Sequence, residues 1–291
     1  MAFLVVKILV ALIVAVIIVI VAAVVALTLS SSLRFKLGKW LAHYLSQPIP
    51  NYLPFSTYEI PLLEKVMQPG DILLVDGNTR ISTPIKYLTQ STWSHAAFYA
   101  GSATNGFTES GEASPLIEAL LDEGVIASPL SKYRNFNIRI CRPVGLSDDD
   151  REKAVQFMVR SLGLQYDLKH IFDLLRYLYA TPPVPVRFRR QMIALGSGDP
   201  SRAICSSLIA ESFHSIHYPI LPLIEKRTEV SSYHYSVKEI YHIRHHSLFT
   251  PRDFDVSPFF KIIKPTIEHG FDYCSLTFVD PQIDLEQTDM K

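Results

Sequence analysis

A cysteine near the start of a stretch with helical spacing is the first residue in this chain that could do chemistry. Cys205 lies in Asp199–Ile216, where Asp199 or Ser201 can cap a helix and apolar residues recur every three or four positions. A thiol near a helix N-terminus meets unpaired N–H groups and the positive end of the helix dipole, which favour the thiolate. The pattern makes Cys205 a candidate nucleophile, and the alternative is a small buried apolar residue.

Cysteine chemistry also needs a base and a group that orients the base. Of the ten histidines, only His95 heads an apolar strand, Ser94–Ala100, that follows a helix-like segment, which predicts a fixed position at a sheet edge. Glu118 lies in the apolar run Pro115–Leu120, where a carboxylate is costly unless it is paired. A pair between His95 and Glu118 would satisfy both. The alternatives are a structural histidine and a surface turn that leaves Glu118 in water.

Composition narrows the class of partner and cofactor. Lys plus Arg and Asp plus Glu both number 28, so the formal net charge is zero and no nucleic-acid partner is expected. The cysteines Cys141, Cys205 and Cys274 are too scattered for a disulfide framework and form no C-x-x-C pair. The run His242-x-x-His245-His246 lacks a matching carboxylate or cysteine. We therefore expect neither a metal nor another cofactor.

Residues 1–29 are predicted to be an N-terminal transmembrane anchor. Ile8–Leu29 carries no charge, and as a helix it would be about 33 Å long, enough to cross a hydrocarbon core of about 30 Å. The protein is therefore expected to be a single-pass membrane protein. The basic residues after the span slightly favour a cytosolic body, but Lys7 and the terminal amine lie on the other side, so the side of the body stays open.

Residues 30–59 are expected to form a juxtamembrane connector that rests on lipid headgroups or packs on the body. The body, residues 60–291, has short strand-like runs in its first half and helical patterns in its second, which predicts an α+β fold with a mostly antiparallel sheet. Its predicted strands are Ile72–Val75, Ser94–Ala100, Leu116–Leu120, Gly124–Ala127 and Asn137–Arg142. Its predicted helices are a short one at Thr83–Thr89, one that Ser147 caps, Leu168–Leu178 and the Cys205 helix. A basic, apolar insert (residues 183–195) and a tail (250–291) have no assigned role.

Several short motifs share an order that resembles the circularly permuted NlpC/P60 proteins, and within them the YiiX/YaeF-like branch of permuted papain-like amidases, relatives of the lecithin:retinol acyltransferase group. The motifs are Gly70-Asp71-Ile72, Thr89-x-Ser91, Trp93-Ser94-His95-Ala96-Ala97-Phe98, Ile117-Glu118-Ala119, Gly124-Val125, Pro129-Leu130, Gly163-x-x-Tyr166-Asp167 and Cys205-Ser206-Ser207-Leu208, with a looser echo at Thr250–Phe254. His95 precedes Cys205, which is the order that the permuted branch implies.

The resemblance implies a half-barrel sheet with packed helices and a role for each matched residue. Cys205 would be the nucleophile, His95 the base, Glu118 the third polar member and Tyr166 a tyrosine that assists the oxyanion. It predicts a membrane-anchored cysteine hydrolase that cleaves an amide or ester through an acyl-enzyme thioester, on a lipid-linked or peptidic substrate. Two other functions remain open: a lipid-directed acyltransferase or phospholipase, and a non-catalytic membrane-tethered binding module. Ser206 or Ser207 as nucleophile is a weaker alternative, because a hydroxyl needs more activation than a thiol.

Overall fold

The computed structural model describes residues 31–50, 52–54, 58–121, 123–164, 185, 204–231, 234–242 and 249–277. The helices in these ranges are α1 (Ser31–Ser46), α2 (Ile60–Val66), α3 (Ser82–Thr89), α4 (Asp148–Arg160), α5 (Ile204–Ser215), α6 (Pro251–Asp255) and α7 (Pro265–Glu268). The strands are β1 (Ile72–Val75), β2 (His95–Tyr99), β3 (Leu116–Leu120), β4 (Gly124–Ser128), β5 (Ile138–Pro143), β6 (Leu223–Ser231), β7 (His234–His242) and β8 (Phe260–Ile263). Short 3₁₀ turns lie at Gly101–Thr104, Leu130–Tyr133 and Tyr273–Ser275.

Six strands form one antiparallel sheet in the order β4-β3-β2-β1-β5-β8. The predicted α+β fold with an antiparallel sheet is therefore confirmed. The central strand β1 is a continuous apolar run buried along its whole length, as expected for a strand covered on both faces. His95 was expected at a sheet edge, which is wrong: β2 is an inner strand with β1 and β3 on its two sides. His95 is its first residue.

Alternate residues of the strands feed two apolar layers, one on each face of the sheet. On one face Ile72, Ala96 and Phe98 pack with Ile209 and Phe213 of α5 and with Met158 of α4. On the other face Leu73, Val75 and Ala97 pack with Leu63 of α2 and with Leu130 and Tyr133 of the 3₁₀ turn. The Cys205 helix thus covers one face, and the turn that carries Lys132 and Tyr133 covers the other.

The sequence signals for α4 are confirmed. The Ser147 hydroxyl accepts a hydrogen bond from the Asp150 N–H, and three aspartates occupy the first turn, where they complement the helix dipole. Ala154, Val155 and Met158 form the buried stripe. The cap and the stripe together fix where this helix begins and which side it buries.

The C-terminal part of the chain returns to the sheet. β8 pairs with β5 as an edge strand, and α6 begins with a capping box between Thr250 and Asp253. Arg252 of α6 donates to the Thr89 carbonyl at 2.8 Å, and Asp255 binds Arg139 at 2.5 Å. Helix α6, which contains most of the segment Thr250–Phe254 that echoes the family pattern, therefore joins α3 to the sheet.

Helix α1 packs on the body through its second half, as one of the two alternatives for the connector predicts. Leu41, Ala42 and Leu45 form a buried cluster with Ile85 and Leu88 of α3. Among the described residues, no helix has both the length and the apolar composition that crossing a bilayer requires. The predicted anchor, the predicted helix Leu168–Leu178 and, apart from Pro185, the basic insert lie outside the described residues.

Candidate active site

Cys205 is the second residue of α5, and its side chain is buried against the first residues of β2. Its Sγ accepts a hydrogen bond from the Ala96 N–H at 3.3 Å, and the residue is 1% exposed. The N–H is available because β2 and β3 pair only at Phe98–Ile117 and Tyr99–Leu116, so the strands have parted by Ala96. The sulfur thus lies where a helix N-terminus meets the gap between two strands.

His95 is placed between Cys205 and Glu118. Its Nε2 lies 2.7 Å from Glu118 Oε2, its side chain is 17% exposed, and Cys205 acts on it electrostatically. Because Nε2 is engaged by the carboxylate, Nδ1 is the nitrogen left for the sulfur. The three residues therefore have the order nucleophile, base and orienting carboxylate that a cysteine hydrolase uses.

Glu118 is buried in β3, with no exposed side-chain surface. Lys132 Nζ donates to Oε1 at 2.6 Å, and the Tyr133 hydroxyl donates to Oε2 at 2.5 Å. The alternative that placed Glu118 on a surface turn is therefore wrong, because the apolar run Leu116–Leu120 pairs with β4 inside the sheet. The carboxylate is compensated by a lysine, a tyrosine and a histidine.

The charges in the cluster shift the pKa values of its members. Burial disfavours a charged His95, but Cys205 and Glu118 outweigh burial and raise its pKa. Burial would raise the pKa of Glu118, but His95 and Lys132 lower it well below the ordinary value. Burial and the adjacent carboxylate raise the pKa of Tyr133, so its hydroxyl stays a donor. Both shifts favour the charged forms, an imidazolium at His95 and a carboxylate at Glu118.

A cavity of about 300 Å³ opens beside His95. Lys132 and Tyr133 line it next to His95, and its remaining wall is mostly apolar, including Val75, Ile81, Ile85, Leu120, Leu121 and Phe136. The volume is at the lower end of the range for small-molecule sites. The cavity reaches His95, the candidate base, and presents a largely apolar surface to a ligand.

The two serines that follow Cys205 have other surroundings. Ser206 Oγ donates to the Phe249 carbonyl at 2.9 Å, and a carbonyl cannot act as a base toward it. Ser207 Oγ is buried without a protein hydrogen-bond partner among the described residues. Since it is the Cys205 sulfur that lies against the Ala96 N–H, next to His95 in the chain, the geometry favours the thiol over either hydroxyl.

Of the four residues predicted for the site, three are brought together and Tyr166 lies outside the described residues. Lys132 and Tyr133 were missed by the sequence analysis. The signal for them is weak: a Lys-Tyr pair follows the motif Pro129-Leu130, and nothing local ties it to Glu118 fourteen residues earlier. Within the described part of the chain, no group of three His, Cys, Asp or Glu side chains is arranged to hold a metal ion.

Comparison with known proteins supports the same branch. The model of the permuted papain-like amidase family (YaeF/YiiX, C92) matches residues 66–179, which include His95, Glu118 and Tyr166 and end before Cys205. No curated protein matches the chain. A solved structure, described as metalloprotein YiiX from Escherichia coli O157:H7, is similar with a TM-score of 0.39 and 15% identity, over 68% of this chain and 96% of that one.

Proposed function

We propose that this chain is a cysteine hydrolase that uses Cys205, His95 and Glu118. Its resemblance to the YaeF/YiiX branch of permuted papain-like amidases is confirmed. The family match supports a cysteine amidase or peptidase-like enzyme. The single observation that supports this triad is the placement at the start of β2: Cys205 Sγ lies 3.3 Å from the Ala96 nitrogen, and the neighbouring His95 lies 2.7 Å from the buried carboxylate of Glu118.

The proposed reaction begins with attack of the Cys205 thiolate on the carbonyl carbon of an amide or ester. In this proposal, backbone N–H groups at the start of α5 stabilise the oxyanion, and by the resemblance Tyr166 assists. The C–N or C–O bond then breaks, and the imidazolium of His95 donates its proton to the leaving group. Neutral His95 next takes a proton from water, whose oxygen attacks the thioester and releases the acid and the thiolate. Glu118 holds the imidazole ring and stabilises its charge throughout.

The test uses the full-length chain, with iodoacetamide as probe and mass mapping of each cysteine. At pH 6.5, an ordinary thiol is about 1% thiolate. We expect His95→Ala to slow the alkylation of Cys205 at least tenfold and to leave the alkylation of the exposed Cys274 unchanged. His43→Ala, at an exposed position on α1, is the matched control. If the alkylation rate of Cys205 in the folded protein is unaffected by His95→Ala, the triad is refuted and a binding module becomes the better hypothesis.

The cavity favours a second candidate of the same chemistry, a lipid-directed acyltransferase or phospholipase. Its mostly apolar wall beside His95 suits the hydrocarbon part of an acyl group. Release of fatty acid from mixed micelles of phosphatidylcholine, with no cleavage of aminomethylcoumarin amides, would select it. Cleavage of the amides alone would select the amidase, and both activities should disappear in Cys205→Ala.

We also propose that residues 1–29 anchor the enzyme in a membrane. The support is the uncharged run Ile8–Leu29, which is long enough to span a bilayer as a helix. The full-length chain should stay in the membrane pellet after an alkaline carbonate wash. Extraction of the full-length chain by that wash would contradict the anchor.

A further inference from the structure

The hydrogen bonds of Glu118 divide between its two oxygens in an unequal way. Lys132 donates to Oε1, whereas His95 and Tyr133 share Oε2. Rotation of the carboxylate would break the Lys132 contact together with the other two. The lysine therefore helps to fix the plane in which the carboxylate faces His95.

Compensation of charge is the second part of the arrangement. A carboxylate without exposed surface is unstable as an anion unless cations lie beside it, and Lys132 is the one described cation in contact with it besides His95. The groups around the pair are Cys205 from α5 and Tyr133 from the 3₁₀ turn, and Glu123 lines the same cavity as Lys132. Farther along the same cavity, near Gly77, Lys86 is paired with Asp76.

The 3₁₀ turn Leu130–Tyr133 is itself held rigidly. Leu130 and Tyr133 are buried in the apolar layer, and Ser131 Oγ donates to Glu112 Oε2 at 2.7 Å. Lys132 stands between these anchors, and its side chain is 35% exposed on the cavity wall. The backbone of the turn thus delivers the ammonium group to a fixed point beside Oε1.

We infer that Lys132 and Tyr133 are positioning residues of this site, which hold the Glu118 carboxylate turned toward His95 and thereby orient the His95 ring toward Cys205. This inference rests on the proposed function. Neither residue contacts the reacting atoms in the arrangement described. Their effect reaches Cys205 through Glu118 and His95.

The test is the pH profile of Cys205 alkylation by iodoacetamide in the full-length chain. Lys132→Met removes a positive charge that favours both the carboxylate and the thiolate. The acid limb of the Cys205 alkylation profile should therefore move to higher pH. The shift should be about one pH unit, because the interaction energy of the lysine with the site lies between the values for two charges in water and in a protein interior. The rate at pH 5 should fall about tenfold, while the plateau near pH 8 changes less than twofold. Lys132→Arg should keep the wild-type limb, because the charge is retained.

Lys153→Met is the matched control, since Lys153 forms an exposed ion pair on α4. A Lys132→Met limb that coincides with the wild-type and Lys153→Met limbs overturns the inference. Alkylation of the buried Cys141 would reveal a Lys132→Met variant that does not fold, and Tyr133→Phe then decides. An acid limb of Cys205 alkylation that moves up by about half a pH unit in Tyr133→Phe supports the inference, and an unchanged limb overturns it. A Cys205 alkylation profile that His95→Ala leaves unchanged refutes the proposed function. A profile that changes in His95→Ala but not in Lys132→Met or Tyr133→Phe refutes only the inference.

Discussion

Replacing Glu118 by Gln keeps the size of a buried side chain and removes its charge. Three donors converge on the carboxylate: His95 at 2.7 Å, Lys132 at 2.6 Å and Tyr133 at 2.5 Å. Gln has one acceptor oxygen, and its amide group would face at least one of these donors. The substitution therefore leaves a cation and a hydrogen-bond donor without a good partner in the interior.

The exposed fractions of the partners set the size of the loss. Removing one member of a fully buried ion pair costs about 3–5 kcal/mol. Here Lys132 is 35% exposed and can turn its ammonium group to water, which reduces the cost to about 2 kcal/mol. For a domain of this size we expect a fall in Tm of about 4–8 °C.

A thermal unfolding scan of the full-length chain at pH 6 measures this loss, with Glu152→Gln, an exposed position on α4, as control. The alkylation rate of Cys205 at the same pH should also fall, because His95 loses the anion that favours its charged form. If Glu118→Gln melts within 1 °C of the control and Cys205 alkylation is unchanged, then the carboxylate neither supports the fold nor acts through His95, and the reasoning fails.

Two further predictions concern the pH dependence of stability and the wall of the cavity. His95, whose pKa is raised above its ordinary 6.5, contributes stability that is fully present below about pH 6.5 and is lost as the pH rises through the raised value. Glu118, whose pKa is lowered from 4.5, contributes stability that is present above about pH 4.5 and is lost as the pH falls through the lowered value. The difference in Tm between wild type and Glu118→Gln should therefore be largest between about pH 4.5 and 6.5, and a difference that is flat from pH 3 to 10 would contradict this. Gly77→Ala should destabilise by about 1–3 kcal/mol, because a Cβ there would lie 2.5 Å from Ser82 Oγ and 2.7 Å from Ser94 Oγ. The double variant Gly77→Ala, Ser82→Ala should recover part of the loss in urea unfolding, and strict additivity of the two single changes would argue against the clash.

The sequence predicted much of the fold because the signals for its elements are local. The run of four apolar residues in β1, the Ser147 cap of α4 and the helical spacing after Cys205 each lie within about a dozen residues. Periodicity and caps act over that range, so a strand or helix can be recognised before any packing is known. The order of His95 and Cys205 also carried the resemblance to the permuted amidases.

Tertiary structure alone decided which side chains meet. Nothing within a few positions of Glu118 shows that Lys132 and Tyr133 return to it from a 3₁₀ turn, or that Ala96 donates to a sulfur 109 residues away. The inner position of β2 likewise follows from its pairing with β1 and β3, not from the apolar strand that His95 heads. Local residue types determine the elements of this protein, whereas contacts between distant elements determine the charges and partners of its site, because those depend on distances that no short stretch of sequence fixes.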